Sequence, residues 1–427
     1  MKISDILVRF FSGIDPLTHF DEKVIPKMLK KYLYQINNRF FAQVPGQMEE
    51  LCAVELTELG AQDVETVYRG ASFTADMLTL YKINYTSRLL SRILAPLIEF
   101  KAATPESITN FGRKIDWEDF MTVESTFAIT ATVAKSRISN SLYAAQVLKD
   151  VIADYFTAKY QKRPDVDTKN PVVRFNLHIE QEQAVLSLDT SGESLHKRGY
   201  RLLAGEAPMQ ETLAAAIIRL SKWDGDSPLW DPMCGSGTIL CEALMHYCRI
   251  PAQFLRQKFG FTNLPEFDGA AWQNEKKSID SGIRPLPPGL ISGSDKSQKT
   301  LAVAHDNLNR LPYGSFVDLK GHPFQHKKLF ENGTIITNPP YGIRLGELQE
   351  VKDLYGELGD FLKTKCKGTN AFIYTGDKEL RKSLGLRTAM RVPLVNGKLE
   401  GVLVKIESYE GSRKAKWRGT ETDQSGQ

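Results

Sequence analysis

Cysteine is scarce in this chain. Only Cys52, Cys234, Cys241, Cys248 and Cys366 occur in 427 residues, an odd number without a CxxC pair. That argues against a disulfide framework and a zinc site, and it fits a reduced cytoplasm. Neither sign of charge is in large surplus: 55 Lys and Arg against 51 Asp and Glu leave a formal +4. No global basic field is present, so any polyanion-binding surface must be local. No stretch approaches the roughly 18 apolar residues of a membrane span. The opening MKISDILVRFFSGID is charged early and lacks a long apolar core, so no signal peptide is expected. The reading is a soluble, cytoplasmic protein with no membrane partner. The NAD fingerprint GxGxxG and a GKS or GKT phosphate loop are also missing.

What is present divides by texture. The length predicts two or three domains. Residues 1–38 mix hydrophobic and basic positions and read as a helical extension. From Arg39 to about residue 100 the order is strand, helix, strand, strand, helix, with MLTLYKINYTSRLLSRILAPL carrying helical spacing up to Pro96. A third unit, 101–195, holds a long helix over SLYAAQVLKDVIADYFTAKY and a hairpin in VRFNLHIEQEQAVLSLDTSG. Residues 196–411 alternate strands and helices, which implies a Rossmann-like, doubly wound parallel sheet in a protein of the α/β class. The stretch 412–427 is polar and reads as a disordered tail. His322 and His326 in GHPFQH lack the helical spacing that would converge them, because Pro323 intervenes, so no metal is expected.

Three stretches of the last unit carry chemistry. DPMCGSGT, residues 231–238, lies on a strand-to-helix turn. Its glycines, Gly235 and Gly237, let the backbone approach a ligand, and the new helix offers unpaired N–H groups. Asp231 at the strand tip suits a cationic amino group and hydroxyls better than a pyrophosphate. Asp295 ends the next strand, where a carboxylate can take both ribose hydroxyls. Each aspartate alone is about as often a cap or turn residue, but together at successive strand tips they favour a nucleoside cofactor. Asn338-Pro339-Pro340-Tyr341 falls at a later tip of the same edge. An exocyclic base amine is a poor nucleophile because its lone pair is delocalised. The Asn338 oxygen and a rigid proline carbonyl can accept its two hydrogens and aim that lone pair at an electrophilic methyl group. Tyr341 would stack on a base taken out of its duplex or loop.

With these motifs in order, RGYRLLAGEAPMQETLAAAI, DPMCGSGT, GSD and TNPPYGIRLGE, the chain resembles class I S-adenosylmethionine-dependent methyltransferases of the NPPY group. More closely, it resembles the N-terminal half of the THUMP-domain rRNA guanine-N2 methyltransferases, the RlmL family, over roughly residues 39–410. The resemblance implies a ferredoxin-like domain at 39–100, a THUMP RNA-binding domain at 101–195 and the methyltransferase domain at 196–411. It implies S-adenosyl-L-methionine as cofactor, held by Asp231, Pro232, Cys234, Gly235, Ser236, Gly237, Thr238 and Asp295. It implies Asn338, Pro339, Pro340 and Tyr341 as catalytic residues, and 23S rRNA or its large-subunit precursor as partner. One methyltransferase unit stands where the family has two, so a single methylation activity is expected. The segment VDLKGHPF displaces Asp318 from the place where the family often holds the adenine amine. Competing readings are a tRNA guanine-N2 methyltransferase, an adenine-N6 DNA methyltransferase, and a non-catalytic RNA-binding assembly protein.

Overall fold

The computed structural model describes residues 32–201, 209–341, 348–397 and 399–408. Of the expected helical extension, only the end lies among them, with a short helix at Leu33–Asn37. The expected tail lies outside the described residues. Two compact units result: Met1–Arg198 together with Pro251–Ser281, and Gly199–Ile250 together with Gly282–Gln427.

The first unit is built on one seven-stranded sheet. Its strands are β1 (Arg39–Gln43), β2 (Gln62–Val67), β3 (Gly70–Thr74), β4 (Arg92–Lys101), β5 (Phe127–Ala134), β6 (Val173–Glu180) and β7 (Gln183–Asp189). Their order is β2-β3-β1-β4-β7-β6-β5. The antiparallel pair β4–β7, Leu94 opposite Asp189, joins the two expected N-terminal domains into a single sheet. Only β5 and β6 run parallel. Their crossover is the helix Ser141–Tyr160, which buries Ala144, Leu148, Val151, Ile152 and Phe156.

One sequence expectation is corrected here. The helical spacing up to Pro96 covers a helix only over Met77–Thr86, followed by β4. Buried Glu55 accepts from Ser87 Oγ and from the backbone N–H groups of Arg88 and Leu89, at 2.7–3.1 Å. Those donors are thereby diverted from a continuing helix. Pro96 is tolerated in the strand because the register with β7 shifts between Pro96 and Ile98, a bulge that spares a ladder hydrogen bond.

The segment Pro251–Ser281, inserted between two parts of the second unit, belongs to this first unit. Gly260 lies so close to the end of β7 that a Cβ there would stand 1.9 Å from the Asp189 carbonyl oxygen. The neighbouring Phe261 N–H donates to Thr190 O at 2.7 Å. Tyr81 packs on Phe261 and Trp272, and the Tyr85 hydroxyl donates to Asp280 at 2.7 Å. The Arg256 guanidinium donates to the carbonyls of Ser191, Glu193, Ser194 and Lys197.

The second unit has strands β8 (Leu229–Asp231), β9 (Ile291–Ser294), β10 (Asp318–Lys320), β11 (Thr334–Thr337), β12 (Asn370–Thr375), β13 (Met390–Asn396) and β14 (Leu399–Glu407). The order is β10-β9-β8-β11-β12-β14-β13. The first five are parallel, and β14 runs antiparallel to both its neighbours. Strands β8 and β11 are buried throughout, as parallel strands covered on both faces must be. Trp230, Ile335, Ile373 and Val404 pack with Tyr355, Leu358 and Leu362 of the helix Leu348–Lys365. Strand order reverses at β8, and ligands of such sheets bind at the carboxyl ends beside that switch point. Among the described residues, no helix is long and apolar enough to cross a membrane.

Candidate functional site

The carboxyl edge of the second sheet collects the expected residues. Asp231 closes β8 and is 1% exposed. Burial pushes its carboxyl up to about 7, although it accepts from Met233 N–H at 3.2 Å. Pro232 and Cys234 follow, both buried. The Cys234 N–H donates to Ser294 O at 3.0 Å, which ties the turn to β9. Burial pushes the Cys234 thiol well above its ordinary range, so it stays neutral and fills space rather than reacting.

Gly235 and Gly237 both have positive φ, +54° and +79°, where glycine is favoured. Their surroundings differ. A Cβ on Gly237 would press on Ala304 at 3.1 Å, whereas one on Gly235 would meet nothing within 4 Å. Gly235 therefore turns its backbone toward open space beside the turn. Its N–H donates to Asp295 Oδ2 at 2.9 Å, while Asp295 Oδ1 accepts from Ser297 N–H at 2.8 Å. Asp295 thus joins the tip of β9 to the tip of β8.

Two residues that sequence reasoning passed over hold this turn. Arg201 donates to Glu211, to Met209 O, to Thr238 Oγ1 and, at 3.5 Å, to Ser236 Oγ. Asn307 donates to Ser236 O at 2.9 Å and is buried with Ala304 and Leu308 on one helix face. A polar residue at the i+3 position of an apolar helical stripe was the available signal. Arg201 lay inside a quoted motif, but nothing local marked it.

Asn338 follows β11, next along the sheet from β8. Pro339 is buried, Pro340 is exposed, and Asn338 and Tyr341 are half-buried. The Tyr341 hydroxyl donates to Asn338 Oδ1, and its ring meets Tyr374 edge-on with centroids 6.1 Å apart. Burial pushes the Tyr341 hydroxyl well above its ordinary range, so it remains a proton donor.

Other candidates fall away from this edge. Asp318 begins β10, at the amino end of a strand parallel to β9, and pairs with Lys320 at 3.0 Å. The His322 and His326 rings lie 6.0 Å apart, and among the described residues no group of three His, Cys, Asp or Glu could hold a metal. All five cysteines are free and buried.

The residues present fit a nucleoside cofactor. An acidic residue closes each of β8 and β9, and a glycine opens the turn between them to free space.

Comparison with known proteins gives three family matches. Residues 198–405 match the RMKL-like methyltransferase domain, 102–189 the THUMP domain, and 39–94 the RlmL ferredoxin-like domain. A protein of Synechocystis sp. that carries an RNA methyltransferase name is 36% identical over 87% of this chain and 97% of its own length. A ribosomal RNA large subunit methyltransferase K/L of Syntrophotalea carbinolica is 36% identical over 87% of this chain. The chain spans 54% of that relative's length. Among solved structures, the methyltransferase SMU.472, described as complexed with SAH, is 29% identical with a TM-score of 0.77. That match covers 88% of this chain and 99% of the other.

Proposed function

Because the chain belongs to the RMKL-like methyltransferase family, carrying its THUMP and ferredoxin-like domains, we propose that it methylates RNA with S-adenosyl-L-methionine. The finer reading is transfer to the exocyclic N2 of a guanine in large-subunit rRNA. The observation that supports methyl transfer to a base amine is the order of strand tips. Asp231 and Asp295 close β8 and β9, and Asn338 to Tyr341 follows β11, directly beside β8.

The chain's own residues divide the work. Asp295 would bind ribose hydroxyls with the lone pairs left after Gly235 and Ser297. Asp231, Gly235 and the start of the helix Thr238–Tyr247 would hold the remainder of the cofactor. When bound, the cofactor supplies an electrophilic methyl group. Asn338 Oδ1 and the Pro339 carbonyl would accept the two amine hydrogens of the target base and orient its lone pair. Tyr341 would face the base. No strong base is required before transfer, so positioning and electrostatics supply most of the acceleration.

The THUMP match supports delivery by the first unit. Several of its exposed cations, which could meet RNA phosphates, are engaged with acids: Lys162 with Glu124, Arg163 with Asp150, and Arg137 with Glu182, at 2.6–3.1 Å. Lys159 pairs with Glu118. Exposed pairs of this kind are weakly held, so phosphates can replace the acids.

The deciding experiment is methylation of large-subunit rRNA, tRNA and duplex DNA with labelled cofactor, followed by nucleoside mass spectrometry. N2-methylguanosine in the rRNA is expected. N6-methyladenine in DNA, or label in tRNA alone, would overturn the rRNA reading.

A further inference from the structure

The second unit carries a strongly cationic cavity that the site above does not use. Its volume is about 370 Å³, and Lys378, Arg381, Lys382 and Arg391 line it together with Gly385 and Thr388. No acidic side chain belongs to the lining. Glu379 stands nearby and pairs with Lys382 at 2.7 Å, a contact between exposed side chains that a competing anion can displace. Arg391 is steadied by donating from Nε to Thr388 Oγ1 at 2.8 Å. Gly385, at φ +62°, has nothing within 4 Å of where a Cβ would stand, so an anion can reach its backbone.

Four cations around one cavity of this size favour an extended polyanion over a single small anion. The position along the chain favours a particular one. Strand β12 ends at Thr375, and a Cβ on the next residue, Gly376, would lie 3.7 Å from the Tyr341 ring. The helix Lys378–Ser383, on which three of the cations sit, begins two residues later. At 3.8 Å per residue between Cα atoms, Lys378 starts within about two residue lengths of the chain beside Tyr341.

We propose that Lys378, Arg381, Lys382 and Arg391 form a phosphodiester-binding subsite for the RNA strand that flanks the target nucleotide. This rests on the reading that the substrate is RNA. A base taken out of its stack must be followed by its backbone. Cations beside the pocket can hold the phosphates on either side of it without reading sequence.

The test uses the full chain, a labelled large-subunit rRNA transcript and poly(U) as a sequence-free strand. Lys378→Gln/Lys382→Gln and, separately, Arg391→Gln should weaken binding of both RNAs at least tenfold in the double variant. They should flatten the salt dependence by about 0.7–0.9 in log–log slope per lost contact. KM for the transcript should rise while kcat and cofactor affinity hold, and Lys378→Arg/Lys382→Arg should restore binding. If wild type methylates the transcript and the neutral variants bind it with unchanged affinity and slope, the subsite is overturned and the RNA reading stands. If wild type neither binds nor methylates RNA, both fall together.

Discussion

The side-chain oxygen of Asn338 accepts a hydrogen bond from the hydroxyl of Tyr341, three residues on. The acceptor proposed for the target amine is therefore engaged by a group of its own motif. An incoming base must replace one hydrogen bond by another, an exchange that costs little when both ends find partners. Asn338→Ala should lower kcat by about 10²–10³, the usual cost of removing one preorganised polar group. Cofactor affinity should hold. Tyr341→Phe frees Asn338 and keeps the ring, so activity should survive, while Tyr341→Ala should lose most of it. Equal losses in the Phe and Ala variants, measured by single-turnover methylation, would assign the work to the hydroxyl instead.

Asp295 has two jobs that a single variant removes together. Its carboxylate holds Gly235 and Ser297 N–H groups and is proposed to bind ribose. Asp295→Ala should weaken S-adenosylmethionine binding about ten- to hundredfold, from the loss of roughly 1.5–3 kcal/mol of charge-assisted hydrogen bonding. Calorimetry giving wild-type affinity would refute the ribose assignment.

Asp231 makes stability depend on pH in an unusual direction for a carboxylate. Burial raises its folded value from 3.8 to about 7. Between those limits the folded state binds more protons than the unfolded one, so this group's contribution is full below pH 4 and is lost as pH rises to 7. Asp231→Asn should remove that loss, seen as a flatter chemical-denaturation profile from pH 4 to 7. An unchanged profile in the variant would show that the carboxyl is ionised in the fold.

Arg201 and Glu211 form an ion pair at 3.0 Å, with side chains 14% and 8% exposed. Removing one partner leaves the other charged and largely buried. Arg201→Ala should cost about 3–5 kcal/mol, read from urea unfolding. It should also weaken cofactor binding, because Thr238 and Ser236 lose a donor. Arg201→Lys should recover only part, since an ammonium cannot reproduce the fork.

Gly260→Ala tests the seat of the insertion. The added methyl carbon would stand 1.9 Å from a main-chain oxygen that cannot swing aside. Destabilisation of about 1–3 kcal/mol or more is expected, because overpacking against backbone has no rotamer to relax into. A melting temperature equal to wild type would mean that the insertion lifts from β7 at no cost.

Much of the second unit was legible because its signals are local. The β-branched run before Asn338, the acidic strand tips and the Gly-rich turn each announce a strand end within eight residues. The error over 77–96 arose where local spacing lost to a distant partner, since Glu55 and the pairing of β4 with β7 decide that segment. Arg201 was invisible for the same reason, and Asn307 showed only as a polar residue in an apolar helical stripe. Each acts through a carbonyl or hydroxyl whose place is fixed only by the fold. The continuous sheet of the first unit also rests on one long-range pairing, which composition and periodicity do not encode.

The assignment of Pro251–Ser281 to the first unit sets an order of events during synthesis. Domains fold as they emerge, N-terminal first, at about 5–20 residues per second. Here the first unit lacks Phe259, Phe261 and Trp272, the aromatic cover of Tyr81 and Tyr85, until Ser281 has been made. By then β8 and the helix Thr238–Tyr247 have already emerged, while β9 and everything after it have not. The nascent chain therefore spends several seconds with Tyr81 and Tyr85 uncovered and the opening strand of its second sheet without a partner. Removing everything before residue 196 would make the aromatic surface of that insertion permanent. A chaperone that binds exposed aromatic segments has its best opportunity in that interval, and it closes when translation passes residue 281.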